Sequence, residues 1–344
     1  MKAVLYGTYP ACELPRLRKY LRSQWELAAI RDEAPVGEKA AALADATVLI
    51  TSKYTAGDPP VPKLHFLQCA STGTENLDFS RLPSDCRVCN AYGHESGIAE
   101  YVLWAILDWS VQCRSIPPFL ATGTWSVDEW VSVPNHGEAS AKTVGIVGFG
   151  HIGREVARRA RALGMKVVAL SAWRSGWHHR NLADRSFTVD EADDFLARSD
   201  FIVVCCPLLP ETRGMIDARW FAAMRQSAVL IQVGRGPVID EQSFYAALER
   251  RTIRGATIDV WYEYPGPAGG RVPFARFPFH KLPNVVMTPH ISARSEEAWD
   301  RRFRQIASNL DAFASGGALL NVMERRLKNP TSPAKRRLPL KDSV

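Results

Sequence analysis

The sequence predicts an α/β chain made of two units, each a parallel sheet covered by helices. Three observations lead there. Short apolar runs alternate with amphipathic stretches along the chain, the pattern of parallel strands joined by crossover helices. The 344 residues exceed what one hydrophobic core usually holds, so two domains are expected. The alternation also restarts at Lys142, where a fresh apolar strand runs into a glycine-rich turn.

In the first unit, residues 3–7, 48–51, 65–70 and 87–91 are short and mostly apolar and read as strands. Segments 14–21 and 38–43 between them read as helices. Residues 98–113 form a long helix in which Ile98, Tyr101, Val102, Ala105, Ile106 and Trp109 recur at helical spacing. A helix apolar on more than one side is packed on several sides, so this one is expected between domains or in a homodimer interface. In the second unit, 143–147, 166–170, 201–205, 228–232, 256–260 and the short 284–287 read as strands. Helices are expected at 152–163, 241–249 and 301–314, and ordered structure should end near Met323.

Composition narrows the class. The hydrophobic fraction of 46% is ordinary for a globular protein. No stretch is long and apolar enough to span a bilayer, and residues 1–7 read as a strand, not a signal peptide, so a cytoplasmic protein without a membrane partner is expected. The net charge of +7 invites a nucleic-acid partner, but its location argues against one. Seven basic residues between Arg325 and Lys341, against Asp342, carry +6 of it. That tail, 326–344, holds three prolines and few apolar residues and is expected to be disordered. Seven cysteines spread through apolar runs are no disulfide framework. Cys86 and Cys89 form a CxxC, but on a strand they point to opposite faces, so no metal site is expected. Cys205 and Cys206 close an apolar run and read as part of a buried strand.

The turn Gly148-Phe149-Gly150-His151-Ile152-Gly153 is a GxGxxG placed after a strand and before a helix, the context that makes it a dinucleotide site. Gly148 permits the tight turn, Gly150 lets backbone approach a pyrophosphate, and Gly153 lets the helix pack on the strand. The helix N-terminus offers N–H groups and partial positive charge to the phosphates. About twenty residues on, where NAD sites place a carboxylate for the ribose 2′-hydroxyl, the chain reads Leu170-Ser171-Ala172-Trp173-Arg174. Ser171 and Arg174 suit a 2′-phosphate, because Arg can fork onto phosphate oxygens. NADP is therefore expected ahead of NAD.

Further motifs occur in order. These are Cys206-Pro207-Leu208-Leu209-Pro210-Glu211-Thr212-Arg213-Gly214, Ile231-Gln232-Val233-Gly234-Arg235-Gly236, Ile258-Asp259-Val260 and Thr288-Pro289-His290. Upstream stand Ala70-Ser71-Thr72-Gly73-Thr74, Asn90-Ala91-Tyr92-Gly93 and Ala99-Glu100-Tyr101. The ordered set resembles the D-isomer-specific 2-hydroxyacid dehydrogenases over most of the chain. The resemblance implies hydride transfer between NAD(P)H and the 2-carbon of a small 2-oxo or 2-hydroxy acid. A 2-oxo acid needs its carboxylate fixed and its carbonyl polarised, which Arg235 can do with one rigid fork. The segment with Ser71, Gly73 and Thr74 resembles the family's substrate-carboxylate loop, where Gly73 and Thr74 can offer backbone N–H groups. His290 can give the carbonyl oxygen a proton and take it back in reverse. The resemblance also implies cofactor contacts from Cys206, Pro207, Thr212, Val233, Gly234 and His290, and from Asp259 to the nicotinamide amide.

One departure matters. The family usually carries Glu five residues after the aspartate, where it bonds the histidine. Here Tyr264 stands at that spacing and Glu263 one residue early. The extended direction of the segment favours Tyr264 as the partner of His290, with Glu263 the alternative. Next comes a Gly- and Pro-rich insertion, 266–279, which is expected to reshape the pocket. The resulting architecture has two Rossmann-like or flavodoxin-like domains, one from 1–92 plus 292–325 for substrate and one from 93–291 for cofactor, with the active site in the cleft between them. Two alternatives stand beside this reading: a non-catalytic NAD(P)-sensing protein on the same fold, and a formate-dehydrogenase-like oxidation, against which Tyr264 replaces the expected glutamine.

Overall fold

The computed structural model describes residues 1–113, 116, 118–171, 181–266 and 270–323. Its contacts divide the chain into two units, one of Met1–Ala91 with the chain from Ile306, and one of Tyr92–Gln305. No helix among the described residues is long and apolar enough to cross a membrane.

The first unit contains β1 (Lys2–Tyr6), α1 (Thr8–Cys12), α2 (Leu14–Tyr20), β2 (Glu26–Ile30), α3 (Val36–Leu43), β3 (Val48–Thr51), β4 (Phe66–Cys69) and β5 (Arg87–Cys89). The strands form one parallel sheet in the order β2-β1-β3-β4-β5, the flavodoxin-like order. Strand β2 was not among the sequence expectations. Its Glu-Leu-Ala-Ala-Ile has two central alanines, which lack the branched side chains that mark a strand.

The second unit contains α4 (Glu95–Val111), α5 (Val127–Ser132), β6 (Thr143–Val147), α6 (His151–Ala162), β7 (Lys166–Leu170), β8 (Arg185–Phe187), α7 (Ala192–Arg198), β9 (Phe201–Val204), α8 (Ala218–Ala223), β10 (Val229–Gln232), α9 (Glu241–Glu249), β11 (Gly255–Ile258) and β12 (Val285–Met287). Its seven strands are all parallel, in the order β12-β11-β10-β9-β6-β7-β8. Strand order reverses between β9 and β6, and the carboxyl ends at such a switch point are where open α/β sheets bind ligands. Leu230, Ile258 and Val204 pack with α7, α8 and α9 on one face, whereas Ile231, Val203 and Ile146 pack with α4 and α6 on the other.

The last helix, α10 (Glu296–Ser315), is longer than the sequence suggested. Ser295 starts it by accepting the Ala298 N–H on its hydroxyl (3.1 Å). The unit division falls inside α10, after Gln305, and not at 292. Two bonds account for this: Arg301 Nε donates to the Gly93 carbonyl (2.8 Å), and Gln305 Oε1 accepts the Tyr92 N–H (3.2 Å). Cys205 lies just beyond β9 and is half-buried, so only Cys206 of that pair is buried. The 326–344 tail lies outside the described residues.

Candidate active site

The glycine turn sits at the switch point, between β6 and α6. Gly148 has φ +98, and a Cβ there would lie 2.7 Å from the Cys206 backbone nitrogen. Only glycine meets both demands. Cys205 Sγ donates to the Gly148 carbonyl (3.0 Å), tying the turn to the end of β9. Burial pushes the Cys206 thiol up to about 11, so it is a packed apolar group beside the turn. A Cβ at Gly150 would meet nothing within 4 Å. Gly150 is also the N-cap of α6 and, as a glycine, brings no capping side chain to the first turn. Open space in front of uncapped N–H groups fits a pyrophosphate. Gly153 is buried and Ile152 packs into the core below. His151 lies with its ring 4.7 Å from that of Tyr92.

The loop after β9 is closed by Thr212, whose hydroxyl donates to the Pro207 carbonyl (2.7 Å) and accepts the Leu209 N–H (2.8 Å). Ser171 comes directly after β7, with its N–H on the Phe187 carbonyl (3.0 Å). Arg174 lies outside the described residues.

Beyond β10, Val233 donates its N–H to the Val204 carbonyl (3.1 Å). The fully buried Gln232 pins Gly234 and Arg235. Its Oε1 accepts the Gly234 N–H (3.1 Å) and its Nε2 donates to the Arg235 carbonyl (3.0 Å). Arg235 is half-buried, and its guanidinium donates to the Gly234 carbonyl (2.9 Å).

His290 adopts φ +57, the left-handed region that L-residues seldom occupy. Asp259, with no exposed surface, holds the turn around it. Asp259 Oδ1 accepts the Ile291 N–H (2.8 Å) and the Thr288 hydroxyl (2.5 Å), and Oδ2 accepts the Ser292 N–H (2.9 Å). Buried charge is tolerable when hydrogen bonds replace its lost water in this way. Trp261 Nε1 donates to the Thr288 carbonyl (2.9 Å). Tyr264 faces this turn: its ring centroid lies 5.5 Å from that of His290, and its hydroxyl accepts the Trp261 N–H (3.1 Å). Glu263 is exposed, and its own N–H donates to the Phe274 carbonyl (3.1 Å). The insertion is anchored by aromatic packing, with Phe274 4.3 Å from Trp261 and Phe277 5.2 Å from Tyr245 between ring centroids. The buried Glu241 bonds Arg276 Nε (2.9 Å).

Ser71, Gly73 and Thr74 belong to the first unit. The Ser71 hydroxyl donates to the Gly73 carbonyl (2.9 Å), and Thr72 Oγ1 donates to the Ala91 carbonyl (2.8 Å). The loop is thus held at both ends, with residues 71–74 half-buried.

Sequence reasoning gave no role to four residues that matter here: Gln232, Thr288, Tyr101 and His94. Gln232 carried a signal, being the one polar residue of an otherwise apolar strand; buried amides are bonded to something. His94 is buried. Desolvation first, then the coulombic push of Arg302, Arg235, His151 and Arg301, takes its imidazole from the ordinary 6.5 down to about 3, so it stays neutral.

Comparison with known proteins gives the family. Residues 103–292 match the D-isomer specific 2-hydroxyacid dehydrogenase, NAD binding domain. The chain is 30% identical to a glycerate dehydrogenase of Methylorubrum extorquens over 74% of this chain and 78% of that one. It is 30% identical to a glyoxylate/hydroxypyruvate reductase B of Citrobacter koseri over 95% and 97% of the two chains. In fold it is similar to an NADPH-dependent glyoxylate/hydroxypyruvate reductase of Sinorhizobium meliloti, with a TM-score of 0.73, 23% identity, and 94% and 98% of the chains covered. The glycine turn, the pinned arginine and the carboxylate-held histidine turn lie inside the matched segment, and the chain belongs to the D-isomer specific 2-hydroxyacid dehydrogenase family.

Proposed function

We propose that this protein transfers a hydride between NAD(P)H and the 2-carbon of a small 2-oxo or 2-hydroxy acid. The observation that carries the reading is the His290 turn: a strained histidine fixed by a fully buried carboxylate. A left-handed non-glycine residue costs on the order of 1–3 kcal/mol. Three donors on Asp259 are well matched to offset that cost, and a proton donor needs a fixed position. The nicotinamide, when bound, supplies or takes the hydride. The chain's own residues do the rest. The α6 N-terminus at Gly150 receives the pyrophosphate, Arg235 fixes the carboxylate and polarises the carbonyl, and His290 moves a proton to or from the carbonyl oxygen. Backbone donors at Gly73 and Thr74 are assigned to the carboxylate on motif order. With three protein donors on it, Asp259 acts first as the anchor of His290, and its remaining acceptor capacity would be open to the nicotinamide amide.

The coenzyme preference goes to NADP, because no carboxylate stands at Ser171 to receive a free 2′-hydroxyl. A homodimer is part of the proposal: α4 leaves Trp104 and Leu107 about two-fifths exposed on a helix whose other face is buried in the core. The reading includes the cytoplasm as its location, which seven cysteines scattered through apolar runs of the sequence support. The test is a panel of 2-oxo acids offered with NADH and with NADPH, monitored by the absorbance of the reduced nicotinamide. Oxidation of either coenzyme by a small 2-oxo acid is expected. Coenzyme binding without turnover of any acid, or turnover of formate alone, overturns the reading.

A further inference from the structure

Beneath the His290 turn runs a chain of three side chains. Tyr101 Oη lies 2.6 Å from Thr288 Oγ1, which lies 2.5 Å from Asp259 Oδ1. Counting protons fixes its direction. An ionised carboxylate only accepts, and a threonine hydroxyl has a single proton. Thr288 spends that proton on Asp259, so its oxygen must accept from Tyr101. The phenol is therefore the terminal donor of a run that ends on the carboxylate holding the Ile291 and Ser292 N–H groups. Burial pushes the Tyr101 hydroxyl up to about 12, which keeps it protonated over the working range.

The helix bearing Tyr101 is itself fixed. Eight residues on, Trp109 Nε1 donates to Thr257 Oγ1 on β11 (2.9 Å). Its ring fills the space a side chain at 255 would need: a Cβ on Gly255 would come within 2.3 Å of it. Positions eight apart share a helix face, so α4 touches the sheet with two polar ties, one at the middle of β11 and one just past the end of β12. Tyr101 thus reaches the His290 turn from a helix tied to the sheet, and hydrogen bonds in such part-buried runs reinforce one another.

We propose that Tyr101 is a positioning residue, which orients Asp259 through Thr288 and so holds His290 in its left-handed turn. The proposal rests on His290 being the proton donor. Its test pairs kinetics with a readout that needs no turnover. In Tyr101→Phe the ring remains and only the donor is lost. We expect kcat for 2-oxo acid reduction to fall about three- to tenfold, the range one neutral hydrogen bond is worth, with KM for acid and coenzyme within about twofold. Amide exchange at Ile291 and Ser292 in the whole enzyme should quicken by a similar factor. Thr288→Ser should behave as the unchanged enzyme, and Thr288→Val should lose at least as much as Tyr101→Phe. The double variant should lose no more than Thr288→Val alone, because both act on one chain. Unchanged exchange at 291 and 292 in Tyr101→Phe, or additive losses in the double variant, overturn the proposal. Faster exchange in a protein that reduces no 2-oxo acid upholds the anchoring chain and refutes the functional reading instead.

Discussion

Replacing Gln232 by leucine tests whether Arg235, the proposed substrate arginine, is placed by its backbone. The two side chains have similar size, so the perturbation is chemical. Two bonds vanish, but they are unequal. The Arg235 carbonyl keeps a second donor, the Val238 N–H at 3.1 Å, and loses only about 1 kcal/mol. The Gly234 N–H is buried with Gln232 Oε1 as its partner, and leaving it unsatisfied costs about 1–3 kcal/mol. Burying an apolar side chain in place of an amide returns about 1 kcal/mol. The net is a loss of roughly 1–3 kcal/mol, a fall in Tm of about 3–10 °C for a unit of this size. Gly234 has nowhere to move inward, since a Cβ there would lie 2.9 Å from the Cys206 carbonyl oxygen; the released segment shifts outward and takes Arg235 with it. A displacement near 1 Å at a binding group costs about a hundredfold, so kcat/KM should fall about ten- to a hundredfold, more than the stability loss alone would give. Thermal melts and steady-state kinetics on the purified variant decide it. A Tm within 1 °C of the parent, or kcat/KM within threefold (about 0.65 kcal/mol), would refute the argument.

The glycine turn divides cleanly between folding and binding. Gly150→Ala should leave Tm unchanged, because its Cβ meets open space, yet weaken NADPH binding by tenfold or more as the methyl enters the pyrophosphate space, while Gly148→Ala should destabilise the protein by several kcal/mol through its φ of +98 and the Cys206 backbone. Titrations showing equal NADPH affinity in Gly150→Ala would remove that space from the site. The imidazole of His94, lowered from 6.5 to about 3, binds its proton in the unfolded chain first. Its contribution is therefore complete above pH 6.5 and is lost as pH falls toward 3, by up to about 1.4 kcal/mol per pH unit; His94→Asn should flatten that limb of a stability–pH curve, and an unaltered limb speaks against it. Glu263→Gln should leave the pH profile of reduction where it was, because the carboxylate is exposed. Tyr264→Phe keeps its ring against His290 but removes the acceptor of the Trp261 N–H, and should cost less than tenfold in kcat/KM. A shifted basic limb in Glu263→Gln would place the acid, not the phenol, beside the histidine.

How far the sequence speaks depends on what each element needs. Strand β3 is three apolar residues closed by a β-branched threonine, and α9 starts behind the capping Asp240, so both are legible at the level of their end residues. Strand β8 is three residues at a sheet edge, Arg-Ser-Phe, and owes its existence to pairing with β7. No local pattern announces it. The glycine turn was legible because the physical demand at Gly148 admits one residue type only. Ser171 marks where a carboxylate is missing, which can be read by counting along a strand.

The supporting residues were hidden for a different reason, and His290 makes it plain. Thr288-Pro289-His290-Ile291-Ser292 contains no glycine or asparagine, so nothing local marks a left-handed residue. The conformation is imposed from 31 residues away in sequence, by a buried carboxylate with two backbone donors on the turn and one hydroxyl beneath it. Such an arrangement comes from register: β11 and β12 pair in parallel at Ile258 and Met287, which brings the residues immediately after them, Asp259 and Thr288, side by side. Register is a property of the folded sheet and not of either strand alone. Residue type therefore exposes the groups that do chemistry, since only a few side chains can donate a proton or fork onto a carboxylate. The groups that hold them in place are chosen by neighbours, and Gln232, Thr288 and Tyr101 become readable only once the strands have been set against one another.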